Sequence, residues 1–255
     1  MSLRYSLLAS MVLLASCSIG KKSADVPHGH RLATVMGCTS CHGPKLDGHL
    51  FEENPAFAIA WSSNLSRLLS HWSDAQVEAV IRTGRRPNGT SLWFMPTFAQ
   101  RRLTADDMRD LIAWLRTVPA TGTDHPAIRR GPQFAEAMAQ GFQDSAAEAL
   151  RLAPRLPIDL GPQLAFGRYL TTIACAECHG PDLKGARDPR PGDPPDLAVA
   201  ATYTPQAFAR LLKTGIAQSG RPAGAMAEEA RKRLSALQPE EVAAIRDYLA
   251  ARAGP

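Results

Sequence analysis

The stretch CTSCHGPKLDG at residues 38–48 returns almost letter for letter as CAECHGPDLKG at residues 175–185. The two copies begin in different halves of a chain of 255 residues, and they contain four of its five cysteines. Self-similarity of this kind is typical of a duplicated module, and a chain of this length can form two small domains. The sequence therefore predicts two related halves, each built around one copy of the phrase.

Each copy contains the pattern Cys-x-x-Cys-His. On a helical turn, Cys38, Cys41 and His42 are spaced at i, i+3 and i+4, so their side chains project from one face. Such a face suits a porphyrin, because two thiols can reach the vinyl groups along one edge while the imidazole lies beneath the iron. The pattern is the attachment signature of c-type haem. We therefore predict two covalently bound haem c groups, attached through Cys38, Cys41, Cys175 and Cys178, with His42 and His179 as iron ligands.

Two other interpretations of the cysteines have to be weighed. A Cys-x-x-Cys pair in an exported protein can form a redox disulfide, but the histidine after each second cysteine then has no explanation in either copy. The two pairs could also bind one zinc ion together, although structural zinc sites usually take their pairs from nearby parts of the sequence. Both alternatives explain less of the repeated pattern than haem does.

The two halves resemble class I cytochrome c domains over residues 28–118 and 164–251. GHRLATVMGCTSCHG, beside GRYLTTIACAECHG, resembles the N-terminal helix of that family running into its haem motif. The resemblance implies an all-α fold of two tandem class I cytochrome c domains joined by a partly helical linker, and no strand pattern is apparent. The expected domains are residues 27–119 and 164–255, with a linker at 120–163.

Helix signals recur in the same order in both halves. Thr104 before ADDMRDLIAWLRTV is a typical N-cap, and Pro239 suits the first turn of the helix in QPEEVAAIRDYLAAR. Earlier in each half, SDAQVEAVIRTG and TPQAFARLLKTG predict another helix that ends at a glycine. In the family the N-terminal and C-terminal helices cross, and the small residues in HRLATVMG would permit a close approach.

A methionine follows at the same distance after a Thr-Gly pair in both halves, at Met95 and at Met226. Met95 precedes a proline, as in the distal-ligand loop of the family, whereas Met226 precedes an alanine. Because the two halves agree on this register, we predict Met95 and Met226 as the second axial ligands. An iron bound by histidine and methionine has no open coordination site and passes single electrons. His49 and His71 are competing candidates in the first half, and the second half has no equivalent of either.

The sequence PDL at 195–197 resembles the family loop whose proline carbonyl accepts a hydrogen bond from the histidine ligand. That bond would orient the imidazole. The first half has SNL at 63–65, without the proline, so we assign this role to Pro195 alone and predict that Leu65 and Leu197 pack on the haems. Candidate partners for the haem propionates are Arg85, Arg86 and Arg221.

The N-terminus has the layout of an export signal, with one arginine, an apolar run and then a small residue and a cysteine. LASC, ending at Cys17, resembles the lipobox of bacterial lipoproteins, which implies cleavage after residue 16 and acylation of Cys17. Several acyl chains give lasting attachment to a membrane. We therefore expect a signal peptide at residues 1–16 and a tether at 17–26. The alternative is an ordinary secretory signal, with Cys17 an incidental thiol.

Composition limits the classes of partner. Apolar residues make up 45% of the chain and aromatic residues 6%, so each half can form a core with few large rings. The formal net charge of +5 is a modest excess, with 29 basic and 24 acidic residues. The chain has no basic run and no interleaved aromatic patch of the kind a nucleic-acid surface needs. Binding to nucleic acid is therefore not expected.

These features predict a lipid-anchored dihaem cytochrome c on the periplasmic face of a bacterial membrane. It would carry single electrons from a dehydrogenase or quinol-linked complex to an acceptor such as a terminal oxidase or another cytochrome. Residues 72–119 also resemble the cytochrome subunits of bacterial membrane-bound alcohol and aldehyde dehydrogenases. The alternatives are a dihaem redox enzyme of the peroxidase or thiosulfate-oxidising type and a haem sensor. Both need an iron with a vacant face, against which the paired methionines argue.

Overall fold

The computed structural model describes residues 23–254, so the predicted signal peptide and Cys17 lie outside the described residues. The helices of the first half are α1 (Val26–Val35), α2 (Cys38–His42), α3 (Leu65–Leu68), α4 (Asp74–Thr83), α5 (Thr97–Gln100) and α6 (Ala105–Leu115). The linker contains α7 (Pro132–Ala139) and α8 (Ser145–Arg151). The second half contains α9 (Ala165–His179), α10 (Pro205–Thr214), α11 (Ala225–Lys232) and α12 (Pro239–Arg252). The predicted helical fold is confirmed, and none of the described helices is long and apolar enough to cross a bilayer.

In each half the N-terminal helix crosses the C-terminal helix at a glycine. A Cβ atom at Gly29 of α1 would lie 2.0 Å from the carbonyl oxygen of Asp110 in α6. A Cβ atom at Gly167 of α9 would lie 2.1 Å from the carbonyl oxygen of Ala244 in α12. Real side chains do not approach backbone atoms so closely, and the two helices can therefore touch only because these residues have no Cβ. The expected crossing of these helices is present in both halves, but the crossing glycine of the first half, Gly29, lies just before the segment HRLATVMG whose small residues were expected to permit it.

The predicted helix ends are also present. The Thr104 side chain accepts a hydrogen bond from the backbone N–H of Asp107 at 3.1 Å, which satisfies one of the free donors at the start of α6. Pro239 occupies the first turn of α12. The N-terminal helix was expected to run into the haem motif in each half, and this holds for the second half only. There α9 continues through the motif without a break, whereas in the first half α1 and α2 are separate helices on either side of Gly37.

The expectation that the chain has no strands is wrong for the first half. A small antiparallel sheet has the strand order β1 (Leu50–Asn54), β2 (Ala58–Trp61) and β3 (Arg129–Arg130). β1 and β2 form a hairpin between the haem motif and α3, and β3 comes from the linker. β1 (LFEEN) and β2 (AIAW) do not alternate apolar and polar residues, and β3 has two residues and pairs from a distant part of the chain. No local alternation of apolar and polar residues could therefore have indicated them.

The linker packs against both halves and is not a loose spacer. Phe134 of α7 is 1% exposed. Arg101 and Arg102 of the first half donate hydrogen bonds to the carbonyl oxygens of Ala149 and Ala153, at 3.2 and 3.0 Å. Near the end of the linker, the carbonyl oxygen of Ile158 accepts a hydrogen bond from the Tyr248 hydroxyl of the second half, at 2.9 Å. The linker therefore fixes the two halves relative to each other.

A polar cluster joins the halves beside the crossing helices. The Tyr169 hydroxyl donates a hydrogen bond to the Asp107 carboxylate, and the Nε2 atom of His28 lies 2.8 Å from the same carboxylate. Next to them, the Nη1 atom of Arg31 donates a hydrogen bond to Glu241 at 2.6 Å. Burial alone would raise the pKa of Asp107, but the hydrogen bonds from Tyr169 and His28 hold it below its usual value.

We expect this interface to lose stability in acid. A carboxyl group with a depressed pKa contributes stability at neutral pH, and the contribution disappears as the pH falls below 3.8 and through the pKa of the folded state. Asp107→Asn should therefore lower the free energy of unfolding by about 1 kcal/mol at neutral pH, and by less in acid. Thermal unfolding at about pH 7 and about pH 3 measures both. Asp106→Asn, at an exposed neighbour, is the control, and equal behaviour of the two variants would contradict the prediction.

Candidate haem-binding sites

A cavity of about 590 Å³ opens in the first half. Its wall includes Cys38, Cys41 and His42 from α2, and Met95 from the segment between α4 and α5. Most of the remaining wall is apolar, and it includes Leu65, Leu69, Val77, Ile81 and Leu111. The volume is in the range of ordinary cofactor pockets, which run from roughly 300 to 1,000 Å³. The residues predicted from the first copy of the phrase therefore share one cavity with the predicted methionine, and this donor set fits a haem c.

The imidazole of His42 is oriented by a backbone carbonyl. Its Nδ1 atom lies 2.9 Å from the carbonyl oxygen of Ser63, to which it donates, so Nε2 is left free for a metal ion. Burial lowers the pKa of His42, which keeps the ring neutral, as an iron ligand has to be. Assigning this acceptor role to Pro195 alone was therefore too narrow. A carbonyl group needs no proline, and the alignment of SNL with PDL was a usable signal.

The second half repeats the arrangement around His179, at the end of α9. Its Nδ1 atom donates a hydrogen bond to the carbonyl oxygen of Pro195 at 2.8 Å, as predicted. Burial lowers the pKa of this histidine as well. Leu197 and Met226 are half-buried and pack against the core, as does Cys175. Met226 lies in the first turn of α11, whereas Met95 lies on a loop. The role of Met226 as an iron ligand stays a prediction.

The loop after each motif has the same conformation in both halves. Leu46 and Leu183 are fully buried and have left-handed backbone angles, with φ of 54° and 63°. The loop then turns back, since the N–H of Gly48 donates to the His42 carbonyl oxygen at 2.8 Å, as the equivalent glycine does to His179. A leucine in this conformation costs about 1 kcal/mol or more. The conformation occurs twice, so we infer that these leucines, which the sequence did not single out, shape the two sites.

The four thiols of the motifs are free in the described part of the chain. Burial raises the pKa of Cys38 and of Cys175 to about 12 each, while Cys41 and Cys178 are exposed. The described residues contain no group of three or more His, Cys, Asp or Glu side chains that could hold a metal ion.

A cluster of aromatic rings supports the Met95 loop. Phe94, the residue before Met95, has a left-handed backbone with φ of 67°. Its ring contacts Phe51 of β1, with centroids 5.1 Å apart, and Phe142 of the linker, at 5.5 Å. These contacts hold a conformation that a phenylalanine rarely adopts. The linker therefore helps to place Met95, a role that could not be foreseen because Phe142 is distant in the sequence.

The competing residues have different positions. His49 lines the cavity of the first half, whereas His71 is exposed. Arg86 also lines the cavity, and burial lowers its pKa. Arg85 and Arg221 are exposed. Of the three arginines predicted to bind propionates, Arg86 is therefore the one with a position that suits the role in the first half.

The two motifs lie next to each other at the boundary between the halves. Glu177, from the second motif, forms part of the wall of the cavity in the first half. Burial raises the pKa of Cys41, and the charge of Glu177 and the Cys178 thiol raise it further. Arg233 connects the two sides as well, because it lies 2.9 Å from the Glu177 carboxylate and donates a hydrogen bond to the Val35 carbonyl oxygen at 3.2 Å. The second copy of the phrase is therefore a neighbour of the first in space.

Comparisons with known proteins agree with this geometry. The family model described as cytochrome c matches residues 26–119 and 164–252, and each matched segment contains one Cys-x-x-Cys-His motif. The fructose dehydrogenase cytochrome subunit of Gluconobacter japonicus is 26% identical to this chain, in an alignment that covers 88% of it. The chain spans about half of the length of that relative, 52%. The matched segments make up most of the chain, so it belongs to the cytochrome c family and carries two haem c groups, one in each half.

Proposed function

We propose that this chain is an electron carrier that passes single electrons from a dehydrogenase to a later acceptor. The acceptor would be a terminal oxidase or another cytochrome, and the carrier would lie on the periplasmic face of a bacterial membrane. When bound, each haem supplies a one-electron iron couple. A dehydrogenase is the proposed donor because the relative described above is the cytochrome subunit of a fructose dehydrogenase.

The observation that carries this proposal is the contact between the two attachment motifs. Glu177 of the second motif reaches the cavity of the first half, and Arg233 bridges Glu177 and the carbonyl oxygen of Val35, at 2.9 and 3.2 Å, close to the start of the first motif. The probability of electron tunnelling falls steeply with distance, so two adjacent redox centres can exchange electrons rapidly. The arrangement suits a relay in which one half receives an electron and the other delivers it.

The side chains around each predicted iron site favour electron transfer over chemistry on small molecules. His42 and His179 are held in place by backbone carbonyl groups. With Met95 and Met226 on the opposite sides, neither iron would have a position for oxygen or peroxide. The mostly apolar wall of the first cavity would limit the access of water to the iron, and with it the reorganisation that accompanies a change of charge. The dihaem enzyme and the haem sensor each require one vacant position.

The proposed anchor is an acyl group on Cys17, with residues 17–26 as the tether. The support is the resemblance of LASC to a lipobox. A lipid-anchored carrier would stay near a membrane-bound donor without a membrane-spanning helix of its own. Whether the membrane is the inner or the outer one does not change the proposed chemistry.

The test is to isolate the full chain from its native membrane with mild detergent, beside a Cys17→Ser variant. The native chain should fractionate with the membrane, copurify with a dehydrogenase and become reduced when the substrate of that enzyme is added. The variant should be found in the periplasmic fraction with both haems attached. Rapid, stoichiometric binding of carbon monoxide at one haem of the native protein would instead favour the enzyme or the sensor.

A further inference from the structure

Arg233 lies between the two haem-attachment motifs. It follows directly after α11, and its side chain is 6% exposed. Its Nε atom donates a hydrogen bond to the carbonyl oxygen of Val35 in the first half, at 3.2 Å. Its Nη1 atom lies 2.9 Å from the Glu177 carboxylate and 3.2 Å from that of Glu229. One side chain therefore connects the end of α1, the second motif and the helix that contains Met226.

The guanidinium group also packs on the backbone directly before the first motif. A Cβ atom at Gly37 would lie 2.8 Å from the Cζ atom of Arg233. Gly37 has a φ of 83°, which favours glycine. The matching residue of the second half is Ala174, inside the continuous α9. The break between α1 and α2, which the second half lacks, therefore leaves space for Arg233.

The charge of Arg233 acts on both motifs. Its guanidinium group packs on Gly37, directly before the first motif, and its Nη1 atom lies 2.9 Å from the carboxylate of Glu177, inside the second motif. Its Nη2 atom is buried and has no hydrogen-bond partner among the described residues. Keeping a buried charge with an unused donor is costly, and apolar side chains can often replace buried ion pairs without loss of stability. The retained charge therefore needs an explanation other than packing.

We propose that Arg233 is a positioning residue for electron exchange between the two haems, because its guanidinium group holds the two attachment motifs together and places one positive charge beside both. This proposal rests on the electron-carrier function proposed above and names the residue that couples its two sites. A nearby positive charge favours the iron state with the lower positive charge, which is the reduced state. Arg233 therefore raises both reduction potentials, and the carboxylates of Glu177 and Glu229 oppose it.

The experiment is a spectroelectrochemical titration of the purified two-haem protein and its variants. Arg233→Gln should lower both midpoint potentials. The expected change in each reduction equilibrium constant is about tenfold, which corresponds to about 59 mV for a one-electron couple. Glu229→Gln should raise both. Arg233→Lys keeps the positive charge, so both midpoint potentials should stay close to those of the native protein. Electron equilibration between the haems after a light-triggered one-electron reduction should slow severalfold in Arg233→Gln.

Arg231→Gln is the matched control, because Arg231 is exposed and lies in the last turn of α11, two residues before Arg233. It should leave both potentials unchanged. The proposal is overturned if only one potential moves, if Arg233→Gln and Glu229→Gln act in the same direction, or if Arg231→Gln has an equal effect. If Arg233→Gln fails to assemble, Glu229→Gln and Arg233→Lys decide by the same criteria. All potentials are measured on the isolated protein. A failure of the protein to accept electrons from a dehydrogenase would therefore count against the proposed carrier function and not against the role of Arg233.

Discussion

Met95→Ala should open the haem of the first half to external ligands while leaving it covalently attached. Met95 lines the cavity that also contains His42, and it is the predicted ligand on the opposite side of the iron. Without the thioether, the iron has a free position and loses a ligand that favours its reduced state. We expect stoichiometric binding of carbon monoxide to one haem. That haem should also lose on the order of 0.1–0.2 V in reduction potential, within the range of roughly 0.8 V that axial ligands cover.

Met226→Ala should have the same effect on the second half alone. Difference spectra with carbon monoxide and redox titration of the purified protein measure both results. Met108→Leu is the control, since Met108 is buried in α6 and packs in the core. It should bind no carbon monoxide and keep both potentials. A Met95→Ala or Met226→Ala protein that behaves like this control would remove that methionine from the set of iron ligands.

Gly29→Ala should be the most destabilising of the conservative substitutions considered. The added methyl group would lie 2.0 Å from the Asp110 carbonyl oxygen, so α1 and α6 would have to separate. Overpacking of this kind costs about 3 kcal/mol or more where rigid backbone has to move. Gly167→Ala should cost a similar amount, because its methyl group would lie 2.1 Å from the Ala244 carbonyl oxygen. The shift in the thermal unfolding midpoint of the two-haem protein measures both effects.

Gly89→Ala separates this clash from the general cost of replacing a glycine. A Cβ atom at Gly89 meets nothing within 4 Å, although its φ of 83° carries a backbone cost. That cost is about 1 kcal/mol. If Gly29→Ala unfolds at the same temperature as Gly89→Ala, the helices do not depend on contact at that glycine.

The features that could be predicted from the sequence are those that short, repeated residue patterns indicate. These features depend on residues that are close together in the sequence, and each occurs in both halves or has a clear residue signal. They are the Cys-x-x-Cys-His motifs, the Thr104 cap and the helices predicted in both halves. The mostly helical tandem fold is therefore confirmed. The acceptor role of Pro195 was predicted by resemblance, and the hydrogen bond from His179 is present.

The features that were missed depend on backbone groups or on distant contacts. Ser63 acts through its carbonyl oxygen, which no side-chain pattern indicates. The strand Arg129–Arg130 completes a sheet with residues far earlier in the chain. Arg233 looks like a surface arginine in the sequence RKRL, and only the packing of the two halves buries it between their motifs. Contacts of this kind depend on the tertiary fold and leave no periodic signal.

The account depends most on two haems, each covalently bound in its own half. The most direct measurement is the haem content of the purified full chain, by pyridine haemochrome absorbance against protein concentration and by the mass of the denatured protein. We predict two haems per chain that stay attached on denaturation, and one haem in a chain with both Cys38→Ala and Cys41→Ala. A colourless native chain, or one that retains a single haem, would contradict the account.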